Sequence, residues 1–213
     1  MTKSFVIILT TTLVLIGCAK QPEEEVGYGV LENGHYTNSY FNMSVQVPKT
    51  WFVQSKAAQK ELTEAGTSLL AGKNDNLKAI LEESDKQSVT LLSLFKYEQG
   101  APVPFNPSII AVAERVKHLP GVKRGSDYLY HVKQHLNSGQ LNYQFPADIY
   151  NVNISALSFD VMPAQIDTGF TMVRQEYYAA RVKDYVISVI LSYSDDTDVA
   201  ELKEIVDNFR FNE

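Results

Sequence analysis

Apolar and polar residues alternate strictly from Phe41 to Val47, which predicts a strand with one wet face. Pro48 stops that strand, and Trp51-Phe52-Val53 resumes an extended course, with Trp51 expected at the edge of the core. An exposed, ligand-binding Trp51 is the alternative. Upstream, Asn33-Gly34 lies between Val30-Leu31 and His35-Tyr36 and predicts a tight hairpin, because both central positions tolerate positive φ. After Ser55 the spacing turns helical. Ala57, Leu62, Ala65 and Leu69 mark one helix, capped by Ser55 and stopped by Gly72. A second, capped by Asn74 or Asp75, carries Leu77, Ile80 and Leu81 against a charged back. Both helices should lie on a surface with one side buried.

Ser88 to Tyr97 is apolar on both faces and predicts a central strand. Gln99 to Pro107 is a proline-rich loop. Ile109 to Val116 fits a strand or a helix, and the flanking Pro107 and Pro120 favour the strand. Ser126 is the expected cap of a helix through Leu129, Val132 and Leu136 that ends near Gly139. Leu141–Phe145, Tyr150–Ile154 and Ala156–Met162 read as further strands. Gly169–Arg181 and Tyr185–Tyr193 form a hairpin about Lys183-Asp184, and Tyr185, Ile187, Val189, Leu191 and Tyr193 share one face of its second arm. The last periodic stretch is a helix with Val199, Leu202, Ile205, Val206 and Phe209 as its stripe. Asp198 is its expected cap, and Glu201 completes a capping box.

The first residues follow neither period. Lys3 precedes an apolar run from Phe5 to Leu15, and Gly17 stands just before the chain's single cysteine, Cys18. A positive start, a short apolar core and a small residue make a secretory signal. Polar Ala19-Lys20-Gln21 follows at once, so the run is too short to span a bilayer. With no second cysteine, a disulfide within the chain is excluded. Leu15-Ile16-Gly17-Cys18 resembles the lipobox of bacterial lipoproteins. That resemblance implies cleavage between Gly17 and Cys18, a diacylglycerol on the Cys18 thiol, and often an acyl group on its new amine. Each buried methylene contributes about 0.8 kcal/mol, and a single chain holds only reversibly, so several chains on one residue make a durable anchor. A free thiol buried in an anchor helix is the alternative.

Three segments are expected: a signal peptide at 1–17, a lipidated N-terminus and tether at 18–34, and a globular domain at 35–213. Glu23-Glu24-Glu25 beside Pro22 reads as solvated linker rather than as a metal site. The implied location is a membrane surface facing the periplasm or the cell exterior. Ala19 rather than Asp after the cysteine resembles the outer-membrane sorting pattern, should the host be Gram-negative.

The net charge of −6 argues against nucleic acid, which demands a basic footprint, and against electrostatic adhesion to anionic headgroups. Removing 1–17 would make it one unit more negative. Acyl chains would then hold the membrane without help from surface charge.

Tyr36-x-Asn38-x-Tyr40-Phe41, the alternating strand, Pro48-x-x-Trp51, two helices, a long antiparallel sheet and a final helix together resemble the PsbP-like fold. The resemblance implies an α+β architecture, an antiparallel β-sheet flanked by helices on both faces (an α/β/α sandwich). Proteins of that fold are mostly protein-binding modules, so an envelope protein is the expected partner, with no enzymatic activity and no cofactor; the alternative is a small-molecule- or metal-binding envelope lipoprotein using the His131/His135 face. Fold alone does not license function.

Candidate chemistry is sparse. There is no Gly-x-Ser-x-Gly elbow. His131 and His135 have metal spacing on one helical face, but Val132 replaces the glutamate a metalloprotease needs, and two ligands leave a zinc site incomplete. Half-exposed histidines flanking the apolar stripe are the simpler expectation. Alternation puts Arg174, Glu176 and Tyr178 on one strand face, as a polar binding surface or a solvent-facing strip of cross-strand pairs.

Overall fold

The computed structural model describes residues 26–212. Gly17, Cys18 and the Glu23–Glu25 run lie outside the described residues. The elements are β1 (Val30–Glu32), β2 (His35–Asn38), β3 (Met43–Gln46), β4 (Phe52–Val53), α1 (Lys56–Ala71), α2 (Asp75–Lys86), β5 (Ser88–Phe95) and β6 (Ser108–Arg115). They continue with α3 (Gly125–Ser138), β7 (Tyr143–Gln144), β8 (Tyr150–Ile154), β9 (Leu157–Asp167), β10 (Met172–Val182), β11 (Tyr185–Tyr193), α4 (Asp196–Asp207) and β12 (Arg210–Phe211).

An antiparallel sheet in the order β4-β5-β6-β11-β10-β9-β7, with β8 also on β9, forms the middle layer. The β10–β11 ladder runs from Arg174↔Tyr193 to Val182↔Tyr185, around the turn the sequence marks. Its alternating residues feed two cores. On one face Tyr178, Ala180, Ile187, Val189 and Leu191 pack with Leu202 and Ile205 of α4, with Phe209, which lies just past the end of α4 at Asp207 and not within the helix as its stripe predicts, and with Met43 and Val45 of the small sheet β1-β2-β3-β12. On the other, Tyr177, Ala179 and Val186 pack with Leu129 and Leu136 of α3. Helices therefore lie on both faces of the sheet. The tether placed at 18–34 gives way to regular structure by Val30, where β1 pairs with β2 across Asn33 (φ 51°) and Gly34 (φ 76°).

Local rules were overridden in four places. The α4 cap is Asp195, whose side chain accepts from the Thr197 N–H at 2.8 Å, and not Asp198. Asp198 and Glu201 instead bind Lys96, each at 2.9 Å. Ser126 does not cap α3; its N–H donates to Asp160 Oδ2 at 2.6 Å, while Asp127 accepts from the N–H groups of Lys123 and Arg124. Strand β9 runs on through Pro163 to Asp167. Pro163 faces Glu176 of β10 but falls between the stretches paired with β8 and β7, where a missing N–H costs little. Finally, α1 buries only Ala71 and α2 only Leu77, so the apolar side expected of each is largely in water.

Trp51, in the connection between β3 and β4, is tied to α4. It is 5% exposed, and its indole N–H donates to Glu201 Oε1 at 2.7 Å. That bond, with Lys96 beside it, holds the Glu201 carboxyl below its ordinary value of 4.5. A depressed carboxyl contributes stability that is complete above the ordinary value and is lost as pH falls through the depressed one. Trp51→Phe should cost about 1–3 kcal/mol at pH 7. The gap to wild type should narrow as pH drops from 5 to 3 in urea titrations; a constant gap would show that packing alone is responsible.

A cavity between two helices

The clearest site lies on the α3 side of the sheet. A cavity of about 390 Å³ opens between α2 and α3, with Leu70, Ile80, Leu81, Val132 and Leu136 among its walls. Three larger clefts among the described residues, about 580, 490 and 470 Å³, are more polar: one borders Val26, Lys86 and Lys183, the next Lys56, Lys60 and Asp85, the third Glu64, Lys78 and Glu82. The mixture of apolar walls and a few converging polar groups singles out the α2–α3 cavity.

Strand β6 brings Glu114 to the cavity; it is 8% exposed. The Tyr128 hydroxyl of α3 donates to Glu114 Oε2 at 2.7 Å. Enclosure, and then the neighbouring Glu114 charge, push that phenol well above its usual range, so it stays protonated and remains a donor. His118, His131 and His135 complete the polar lining. Burial lowers His135 from its ordinary value of 6.5, against a smaller opposing pull from Glu114, and favours the neutral imidazole near pH 7.

Two glycines set the distance between the walls. Gly125, at the start of α3, has no room for a side chain, since a Cβ would sit 2.0 Å from the Ala179 carbonyl oxygen. This contact seats α3 on β10. At the other end, Gly139 allows the close approach of Leu70: the Gln140 N–H donates to Leu70 O at 2.9 Å, and Gln140 Nε2 donates to Leu69 O at 2.6 Å. Asn74 Nδ2 also reaches Ser138 O at 3.3 Å. The α1–α2 turn is thus tied to the end of α3.

His131 and His135, paired by their spacing, share this cavity with His118 and Glu114, which the linear spacing did not connect to them. Among the described residues, no three His, Cys, Asp or Glu side chains are arranged to hold a metal ion. Arg174, Glu176 and Tyr178 do share one face, on which Glu176 and Tyr178 are covered while Arg174 stays part-exposed. The Tyr178 hydroxyl donates to Glu176 Oε2 at 2.6 Å, Lys203 of α4 pairs with Glu176 Oε1 at 3.2 Å, and Arg174 pairs with Asp196. Glu176 and Tyr178 are both buried, so neither lies on a solvent-facing strip. Burial and Glu176 together hold the Tyr178 phenol neutral.

Sheet order and helix placement define a PsbP-like α+β sandwich. No protein-family model matches the chain, and no curated protein does. Among solved structures it is similar to CyanoP, the cyanobacterial PsbP of Synechocystis sp. PCC 6803. The TM-score is 0.52 at 11% identity, with 90% of this chain and 100% of that one covered. At that identity the likeness shows the fold alone. LpqN, involved in cell envelope biogenesis of Mycobacterium tuberculosis, is also similar, with a TM-score of 0.44 at 14% identity over 80% of this chain and 83% of that one. A value below 0.5 does not establish a shared fold. Among the described residues, no helix is long and apolar enough to cross a membrane.

Gly139→Ala would place a methyl 2.4 Å from Leu70 Cδ1 and 2.7 Å from the Leu70 carbonyl oxygen. The expected cost is about 1–3 kcal/mol, through separation of α1 from the end of α3. Hydrogen exchange should quicken in α1 and α2 while β10 and β11 keep their protection. Uniform loss across the sheet would contradict the local tie.

Proposed function

We propose that this chain is a lipid-anchored envelope protein that binds an apolar small molecule between α2 and α3 and performs no chemistry on it. The observation that supports the binding role is the cavity itself: apolar walls, with a buried carboxylate, a phenol donor and imidazoles converging on one space. The anchor rests on the Leu15-Ile16-Gly17-Cys18 pattern, with acyl chains on Cys18 as the contact with the membrane. Labelled palmitate should enter the wild-type chain and fail to enter Cys18→Ser, which should also leave the membrane fraction. Equal labelling of the two would end the lipoprotein reading.

The binding role is tested with the full chain in lipid nanodiscs and a neutral probe, 4-phenylbutanol, titrated calorimetrically against empty discs. Saturable binding should disappear in Val132→Trp, whose indole fills the space, while circular dichroism is unchanged. Binding that survives the filled cavity would place the site elsewhere.

A second reading, docking of an envelope protein, is favoured by one feature. Phe170 is fully exposed at the tip of the β9–β10 hairpin, at the end of the sheet opposite the Lys183-Asp184 turn. Crosslinking from position 170 in intact cells should trap one reproducible neighbour on this reading.

A further inference from the structure

Two buried carboxylates, Glu176 and Glu114, lie on opposite sides of the same sheet, and they are not provided for equally. Glu176 has Lys203 on one oxygen and the Tyr178 hydroxyl on the other. Glu114 is as deeply buried, at 8% exposed, yet its hydrogen bond among the described residues is the one from Tyr128. No described lysine or arginine forms an ion pair with it. A buried carboxylate lacking a cation carries a desolvation penalty that one phenol does not cancel. The carboxylate lines an apolar space of about 390 Å³.

Resting on the binding role proposed above, we propose that the ligand is a cationic amphiphile, an apolar amine whose ammonium sits on Glu114. An apolar alcohol entering the cavity would strip water from the carboxylate and return no charge. An apolar acid would add a second negative charge beside the first. An amine returns the missing counter-charge and donates hydrogen bonds to a carboxylate already oriented by Tyr128.

The other titratable groups facing the space are Glu83 of α2, His131 and His135 of α3, and His118 in the β6–α3 connection. Glu83 is bound to Lys86 at 3.0 Å. His135, which feels the Glu114 charge, is the internal rival for the ligand. Neutral, it leaves Glu114 to the ligand; protonated, it supplies the counter-charge itself and repels an ammonium. Because burial lowers His135, that competition from it begins only below its ordinary value of 6.5. Amine binding should therefore weaken on acidification.

The test uses the full chain in nanodiscs and three probes of one shape: 4-phenylbutylamine, 4-phenylbutanol and 4-phenylbutyrate. At pH 7.5 the amine should bind at least tenfold tighter than the alcohol, with the acid weakest. Glu114→Gln should abolish the amine's advantage, while the alcohol, no longer stripping water from a carboxylate, should bind at least as tightly as it does to the wild type. At pH 5 the advantage should shrink in the wild type. An amine no better than the alcohol, or an advantage that survives Glu114→Gln, overturns the charge assignment while the cavity role stands. Failure of all three probes to bind overturns the cavity role and this inference together.

Discussion

Strands β6, β11 and β10 are apolar on both faces, and this single constraint shapes the molecule. A sheet of that kind must be covered twice. One face receives α4 and the small sheet, and the seal is thorough: Phe159, Phe209, Leu191 and Met43 are all almost wholly buried. Trp51, Glu201 and Lys96 then join the start of the described chain to its last helix through hydrogen bonds and ion pairs of 2.7–2.9 Å. That contact spans 150 positions between Trp51 and Glu201, so it fixes the two ends of the domain against each other.

The opposite face is covered incompletely, and the cavity follows from how. Helix α3 lies over β9 and β10, seated by the Gly125–Ala179 contact, and leaves the β5–β6 side to α2. But α2 buries Leu77 and little else, and its partner α1 buries only Ala71. The pair is held at its turn by Gln140 and Asn74 rather than by a packed interface. Few buried apolar contacts mean a low local opening free energy, so this wall is the part of the fold best suited to admit a ligand.

Much of the framework could be read from periodicity. The Phe41–Val47 alternation, the Asn33-Gly34 turn and the long hairpin about Lys183-Asp184 appear where the pattern puts them. The misses share a cause, tertiary partners outbidding local chemistry. Asp198 and Ser126 are good caps by composition, yet Lys96 and Asp160 recruit the first side chain and the second backbone, and neighbours take the capping. The end assigned to β9 at Met162 ignored that Pro163 is harmless where no strand needs its N–H. The site was half legible. Spacing linked His131 to His135, but His118 and Glu114 reach the same cavity only because β6, its connection and α3 converge there. Alternation likewise grouped Arg174, Glu176 and Tyr178 without showing that the last two would be covered and only Arg174 left part-exposed.

The contrast between the two faces also explains why one buried acid is structural and the other is available. On the α4 side, the helix that covers Glu176 carries Lys203, so covering and neutralising the carboxylate are one event. On the α3 side, the covering helix brings a phenol and two imidazoles to Glu114, none of them a permanent cation. The phenol orients the carboxylate without discharging it, and the half-buried His135 imidazole does so only in acid. A sheet that buries carboxylates on both faces therefore needs no fixed charge on the second, provided the space above that carboxylate stays open to something that carries one.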